Sequence, residues 1–169
     1  KGCDHKCTYC IVPFTRGIEK SLSLDSILEE VGFLVGHKKL REITLVGQNV
    51  NGYGRGTAFD FPMLLWRLAQ VPRLRRIRFV TSHPKDASQK LANCFRDLPE
   101  VPPYLHLPVQ SGSNAVLKRM KRLYTHEMYR ERVAMFREAQ PKMAFSTDII
   151  VGFPGETEND FFDTLDLMY

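Results

Sequence analysis

Three of the four cysteines in this chain lie close together near its first residue. Cys3, Cys7 and Cys10 have the spacing C-x3-C-x2-C within KGCDHKCTYC, whereas Cys94 lies far along the chain. Disulfide frameworks need cysteines in pairs and a closed tetrahedral metal site needs four ligands, so three thiols suit neither by themselves. Three thiolates in one loop suit an iron–sulfur cube that leaves one iron open to a substrate or cofactor.

A second interpretation of the clustered cysteines remains open. A zinc ion bound by the three thiolates needs a histidine as its fourth ligand, and His5 is the nearest one. Cys94 does not belong to this cluster, because it follows an apolar helical pattern with Leu91, Phe95 and Leu98. We expect Cys94 to be a small buried hydrophobic residue.

The composition predicts one globular domain. The chain has 169 residues, of which 43% are hydrophobic and 25% are charged, enough to bury roughly 70% of the unfolded surface. There is no apolar run long enough to span a membrane, and the cysteine cluster stands where a signal peptide would need a charged and then an apolar segment. We therefore expect a protein of a reducing cytoplasm, without a membrane partner.

The net charge of +5 favours a polyanionic partner only weakly. Most basic residues in the two local clusters are expected to lie on solvated faces. These clusters are Arg73, Arg75, Arg76 and Arg78, and Lys118, Arg119, Lys121 and Arg122.

Strand-like and helix-like segments alternate after the cysteines, which predicts an α/β fold with a parallel sheet. Runs rich in β-branched residues predict strands at 42–47, 76–81, 104–110 and 145–151. Apolar residues at helical spacing predict helices at 24–35, 61–68 and 91–98. Ser113 and Thr125 are candidate N-caps of a two-part fourth helical region, and Thr157 with Asp160 is a candidate capping box for a fifth helix.

The strands alternate between an apolar face and a partly polar face, which predicts a curved, open barrel with a ligand-binding lumen. Chemistry in such sheets gathers at the carboxyl ends of the strands. The loops at 47–49, 82–84, 110–113 and 152–156 follow these ends, and together we call them the rim.

The cysteine motif, with Tyr9 before its last cysteine, resembles the signature of the radical S-adenosylmethionine (SAM) enzymes. The resemblance implies a [4Fe-4S] cluster on Cys3, Cys7 and Cys10, whose open iron is chelated by SAM. It also implies a partial (βα)6 TIM-like barrel, about four of whose parallel strands lie in this chain.

Five ordered segments resemble the radical SAM domain of the methylthiotransferases: GCDHKCTYCIVPFTRG, LVGQNVNGYG, RIRFVTSHP, LHLPVQSGS and TDIIVGFPGET. GQNVN at 47–51 resembles the tRNA-modifying branch, the MiaB type, which converts N6-isopentenyladenosine at position 37 to its 2-methylthio derivative. The alternatives are another methylthiotransferase substrate, namely threonylcarbamoyladenosine in tRNA or a ribosomal protein side chain, and a non-catalytic zinc-binding RNA module.

The resemblance also implies a set of SAM-binding residues. They are Tyr9 and Ile150, Val151 and Gly152 near the adenine, Gly47, Gln48 and Asn49 near the methionine part, and Gln110 and Ser111 near the ribose. Beyond the cluster ligands no catalytic residue is assigned. Roles for Arg16, Arg78, His83 and Asp148 stay open between substrate contact and satisfied polar groups.

Residues 1–169 resemble a radical SAM core domain that is incomplete at both ends. The family carries an N-terminal domain with a second [4Fe-4S] cluster and a C-terminal TRAM domain, and neither is expected within this chain. The implied partners are the tRNA anticodon loop and an electron donor such as a flavodoxin or ferredoxin, with the protein a monomer.

Overall fold

The computed structural model describes residues 1–169 as helices that alternate with short strands. The seven helices are α1 (Val12–Arg16), α2 (Leu24–His37), α3 (Phe61–Ala69), α4 (Gln89–Asp97), α5 (Asn114–Arg119), α6 (His126–Ala139) and α7 (Glu158–Met168). The four strands are β1 (Glu42–Leu45), β2 (Arg76–Phe79), β3 (Tyr104–His106) and β4 (Ala144–Ser146). None of the helices has both the length and the apolar character that crossing a bilayer requires.

The strands pair in parallel, which confirms the predicted α/β class. β1 lies beside β2 with Ile43 opposite Ile77, and β3 lies beside β4 with Leu105 opposite Phe145. The strands form two separate two-stranded sheets, however, and not the single sheet that the sequence predicts. Residues 102 and 103, just before β3, are prolines, which lack the N–H groups needed to extend a ladder towards β2.

The strands are also shorter than predicted. β2 ends at Phe79 and is followed by Thr81 with a φ of 69°, and β3 ends at His106 well before Gln110 with a φ of 76°. A positive φ lies outside the β region, so the chain turns at these residues. Gln110 still forms an isolated parallel bridge with Ile149.

Side-chain caps fix the starts of the later helices as predicted. Ser113 accepts a hydrogen bond from the backbone of Val116 at the start of α5, and Thr125 accepts one from Met128 at the start of α6. Thr157 and Asp160 form a capping box before α7. Each cap satisfies backbone N–H groups that the first helical turn leaves unpaired.

A row of aromatic rings joins the two sheets. Phe79 of β2 contacts Phe61 of α3 at 4.9 Å and Phe95 of α4 at 5.8 Å between ring centroids. Phe136 of α6 then contacts Phe95 at 5.7 Å and Phe145 of β4 at 6.3 Å. These rings belong to one buried core, so apolar packing, and not a continuous strand ladder, holds the two halves together.

One ring of this row, that of Phe136, allows a prediction about stability. Phe136 is fully buried, whereas Phe162 on α7 is 52% exposed. Replacing Phe136 by Ala removes buried apolar surface and leaves a cavity, so we expect the free energy of unfolding to fall by about 3–5 kcal/mol. Urea unfolding should show a loss of less than about 1 kcal/mol for the matched control Phe162→Ala, and equal losses in the two variants would contradict the role of the row.

Candidate functional site

The three clustered cysteines lie in an irregular loop from Gly2 to Cys10, here called the cysteine loop. The loop has no helix or strand of its own. A hydrogen bond from Cys10 N to Cys7 O (3.1 Å) closes its turn, and one from Cys3 N to Gly17 O (3.1 Å) ties its start to the end of α1. All three thiols are free and partly exposed.

Glycine is required at the start of the cysteine loop. Gly2 has a φ of 78°, and a Cβ atom there would collide with the carbonyl oxygens of Gly17 and Ile18. Its backbone N–H donates to Gln48 Oε1 at 3.1 Å, which ties the loop to the rim segment after β1. The close approach of these backbones therefore depends on the missing side chain.

The cysteine sulfurs are spaced more widely than a single zinc ion requires. They do not gather within 4.8 Å of one another, with or without His5. Thiolates on one tetrahedral zinc, at Zn–S distances near 2.3 Å, lie only about 3.8 Å apart. A cluster in which each cysteine binds a different iron accepts a wider spacing. Cys7 and Cys10 lie near enough to raise the pKa of Cys3, so the donor set is compatible with a [4Fe-4S] cluster.

The surroundings of the thiols favour a positively charged occupant. Burial raises the pKa of Cys3, and the neighbouring Cys7 and Cys10 raise it further. Three thiolates therefore need a compensating positive charge. Part of that charge comes from Arg122, whose Nη1 donates to Cys7 Sγ at 3.5 Å. The backbone N–H of His5 also donates a hydrogen bond to Cys3. Iron ions would supply the remaining positive charge.

The guanidinium of Arg122 is held rigidly despite its burial. It donates to Tyr124 Oη at 2.9 Å and to Pro108 O at 3.3 Å. The residue is only 9% exposed, so its charge acts on the cysteine loop with little screening by water. Most residues of the two basic clusters are exposed, as predicted, and Arg122 is the buried exception. The chain turns back after α5 and packs this side chain inward.

A second set of contacts fixes the cysteine loop from the opposite side. The rings of His5 and His83 stack with centroids 4.1 Å apart. Asn49 Nδ2 donates to Asp86 Oδ2 at 2.8 Å and lies 3.2 Å from His5 Nε2. Arg55 Nη2 also donates to Asp86 Oδ2, at 2.8 Å. We call these five residues the histidine network.

The histidine network does not have the electrostatics of a metal site, although ligand atoms of His5, His83 and Asp86 lie within 4.8 Å of one another. The carboxylate of Asp86 already accepts hydrogen bonds from Arg55 and Asn49. His83 Nδ1 accepts from the backbone N–H of Lys85 at 3.2 Å. A metal ion would displace these donors, so we interpret the cluster as a hydrogen-bonded support for the cysteine loop.

The candidate SAM-binding residues occupy different parts of the rim. Gly47, Gln48 and Asn49 line a cavity of about 670 Å³ that also reaches Gly2. Asn49 Oδ1 is buried there without a hydrogen-bond partner, which leaves an acceptor available to a ligand.

The remaining candidates lie on the other pair of strands. Gln110 O accepts from Ile150 N at 2.8 Å, which brings two of the candidates together. Ser111 is fully buried, and its Oγ accepts from Ser113 N at 3.1 Å and lies 3.3 Å from Thr164 Oγ1. Its hydroxyl is therefore used in attaching α5 to α7.

Val151, Gly152 and Tyr9 are more exposed. Val151 is 61% exposed, and the N–H of Gly152 donates to the carboxylate of Glu156. The residue Tyr9 as a whole is 39% exposed. Partial burial is nevertheless the largest cause of the rise in the pKa of Tyr9 to about 12. The phenol therefore stays protonated at neutral pH.

The residues whose roles stayed open are now placed. Arg16 is exposed at the end of α1, and Arg78 Nε donates to Glu42 Oε1 at 2.7 Å. Asp148 lies 3.4 Å from His106 Nε2. His83 belongs to the histidine network, where it is 7% exposed. Cys94 is fully buried in the core, as predicted, and burial raises its pKa to about 12.

Asp86 and Arg55 were missed as site residues. Asp86 follows the TSHP segment of the rim, and Arg55 lies in a glycine-rich stretch. Neither residue belongs to a motif whose spacing indicates catalysis or ligand binding. The one signal for Asp86 in the sequence was its position, three residues after the rim histidine His83.

The burial of His83 makes the stability of the protein sensitive to mild acid. Burial, followed by the charge of Arg122, lowers the pKa of His83 to about 2, whereas an unfolded histidine titrates near 6.5. As the pH falls below about 6.5, only the unfolded chain takes up this proton, so stability falls by about 1 kcal/mol per pH unit. Urea unfolding of the cluster-free protein between about pH 6.5 and 5.5 should show a smaller slope for His83→Gln. The exposed control His37→Gln should keep the original slope, and identical slopes in both variants would contradict the assignment.

Comparison with known proteins identifies the family. The model of the radical SAM superfamily matches residues 1–168. A protein of Desulfosudis oleivorans is 56% identical over 99% of this chain and 36% of its own length, and one of Acetivibrio thermocellus is 53% identical over 99% and 35%. A protein of Acinetobacter baylyi is 50% identical over 97% of this chain and 35% of its own length.

All three relatives are named tRNA-2-methylthio-N(6)-dimethylallyladenosine synthase. The chain spans about a third of the length of each of them. With the family model covering nearly every residue, the chain belongs to the radical SAM superfamily.

Proposed function

We propose that the protein containing this chain methylthiolates tRNA, converting N6-isopentenyladenosine at position 37 to its 2-methylthio derivative. The observation that carries the proposal is the 50–56% identity, across 97–99% of the chain, to relatives with the name of this synthase. The GQNVN segment at 47–51 agrees with the same branch.

Residues 1–169 are proposed to be the radical SAM core domain of that protein, a part of a (βα)6 TIM-like barrel. Two parallel strand pairs with helices between them support this architecture. In the proposed arrangement, the domain of the auxiliary cluster and the TRAM domain belong to other parts of the protein. The sulfur that methylthiolation requires would then come from outside this chain.

Cys3, Cys7 and Cys10 would hold the [4Fe-4S] cluster, which together with SAM supplies the electron and the carbon radical that start the reaction. The chain itself binds and orients these groups. Arg122 balances thiolate charge on Cys7, and the histidine network holds His5 in place between two ligands. Fixing the loop in this way lowers the cost of arranging the site for the reaction.

The proposed SAM contacts are those of the rim. The unpartnered Oδ1 of Asn49 and the cavity shared with Gly47 and Gln48 suit the polar methionine end of SAM. Gln110, Ser111, Ile150, Val151, Gly152 and Tyr9 are proposed near the ribose and adenine. For Ser111 we propose a contribution through the backbone, because its hydroxyl is already bonded within the fold.

The proposed partners are the tRNA anticodon loop and a flavodoxin or ferredoxin as electron donor, with a cytoplasmic monomer as the working form. The names of the relatives, which specify a nucleoside of tRNA, support the first of these assignments.

Cysteine variants test the proposed function. In cells that lack the full-length gene, a plasmid copy should restore 2-methylthio-N6-isopentenyladenosine in tRNA, measured by mass spectrometry. Cys3→Ala, Cys7→Ala and Cys10→Ala should each abolish restoration and lower the iron content of the purified protein, because each removes one of three cluster ligands. Cys94→Ala should keep both, since its thiol is buried in the core. Unmodified tRNA with the wild-type gene would refute the substrate, and equal iron loss in all four variants would refute the ligands.

A substitution at Gln110 tests the SAM pocket. Because Gln110 has a φ of 76°, glycine removes its side chain without straining the backbone. We expect Gln110→Gly to weaken SAM binding by about 3- to 10-fold, the value of one hydrogen bond, with unchanged iron content. Arg73→Gly, an exposed position with a φ of 75°, is the matched control. Unchanged SAM affinity by calorimetry in Gln110→Gly would place the ribose elsewhere.

A further inference from the structure

A basic cavity of about 810 Å³ opens beside the cysteine loop, between the rim after β2 and the α5–α6 connection. Its six Lys and Arg residues are Lys6, Arg55, Lys85, Lys118, Lys121 and Arg122, and we call it the basic groove. Asp4 is the single acidic residue in its wall. The groove is separate from the rim cavity lined by Gly47, Gln48 and Asn49.

The lysines of the basic groove are not neutralised by the protein. The one lysine that forms an ion pair in this chain is Lys90, with Asp60, and neither residue lines the groove. Lys6, Lys85, Lys118 and Lys121 are exposed. Four unpaired ammonium groups around one concavity produce a positive potential that low-dielectric walls concentrate, and this potential favours a polyanion.

The wall of the basic groove also offers apolar contact. Leu123 is 59% exposed and Met128 is 39% exposed, and both line the cavity. Apolar surface between cationic groups suits a chain in which sugars and bases alternate with phosphates. Single-stranded nucleic acid has this alternation.

The basic groove leads directly to the cysteine loop. Asp4, His5 and Lys6 lie between the first two cysteines and also line the groove. Arg122 lies at its buried side and contacts Cys7. A chain bound in the groove therefore passes beside the candidate cluster ligands.

We propose that the basic groove binds the phosphodiester backbone of a single-stranded RNA loop and guides it to the cysteine loop. This inference rests on the proposed function and names the surface that would hold the RNA. A concave site of this size accepts an extended chain, whereas docking of a folded acidic protein buries about 800 Å² per partner over a broader surface. The shape of the groove therefore favours RNA over an acidic electron donor.

The test measures RNA binding by the full-length, cluster-containing protein. Fluorescence anisotropy with a labelled RNA hairpin, carrying a tRNA anticodon stem and loop, gives the affinity over a series of salt concentrations. Log affinity falls with log salt, and each lost contact with single-stranded RNA makes this negative slope shallower by about 0.7. For Lys118→Gln/Lys121→Gln we expect a slope shallower by about 1.4 and an affinity about 25-fold lower at 0.1 M salt.

Two further variants complete the design. Lys85→Gln, on a different loop of the same groove, should lower the affinity about fivefold. The control Lys38→Gln/Lys142→Gln removes two exposed charges that do not line the groove and should bind as the wild type does. Circular dichroism and iron content of each variant report whether fold and cluster are retained.

Groove variants that retain fold and iron but bind the hairpin as tightly as the control would overturn the proposal. The proposal is also overturned if these variants still bind the hairpin normally but their cluster is no longer reduced by a flavodoxin. That result would assign the groove to an acidic electron donor. If the groove variants bind the hairpin as tightly as the control while the wild-type gene restores the modified nucleoside in cells, the proposed function stands and the groove assignment alone fails. If the wild-type protein neither binds the hairpin nor restores the modified nucleoside, both fail.

Discussion

The side-chain amide of Asn49 connects the cysteine loop to the rest of the fold. It donates to the carboxylate of Asp86 and contacts the ring of His5, which in turn stacks on His83. The loop has no helix or strand to hold its shape, so the positions of its thiols depend on such contacts. Burial opposes ionisation of Asp86, and hydrogen bonds from its neighbours lower its pKa despite that. The carboxylate therefore stays charged, and its bonds to Asn49 and Arg55 stay strong.

Apolar packing between the two sheets holds the residues of this connection in position. The two strand pairs share no ladder, and the ring contacts from Phe61 to Phe145 run through the core between them. Dispersion contacts between close-packed rings resist displacement in every direction. The rim loops of the two sheets therefore keep fixed positions relative to one another, although few backbone hydrogen bonds cross between the sheets.

Local signals in the sequence determined much of the fold. The helical spacing of apolar residues and the capping residues Ser113, Thr125 and Thr157 predicted the later helices correctly, because hydrogen bonds within one turn join residues close in the chain. The parallel class followed from alternating elements. The cysteine spacing and the ordered segments around it indicated the superfamily to which the chain belongs.

The tertiary structure decided what depends on distant residues. A positive φ at Thr81 turns the chain just after β2, and propensity alone does not reveal such a turn. The contact between Arg122 and Cys7 joins residues 115 positions apart. The sequence alone does not show that this arginine is buried beside a candidate cluster ligand. The sequence by itself determined which residue types could bind a cluster and which segments would form helices, since both depend on short spacings. Only the packed chain decided which charges surround the thiols and which lysines share one groove, because burial and charge proximity arise from contacts between distant segments.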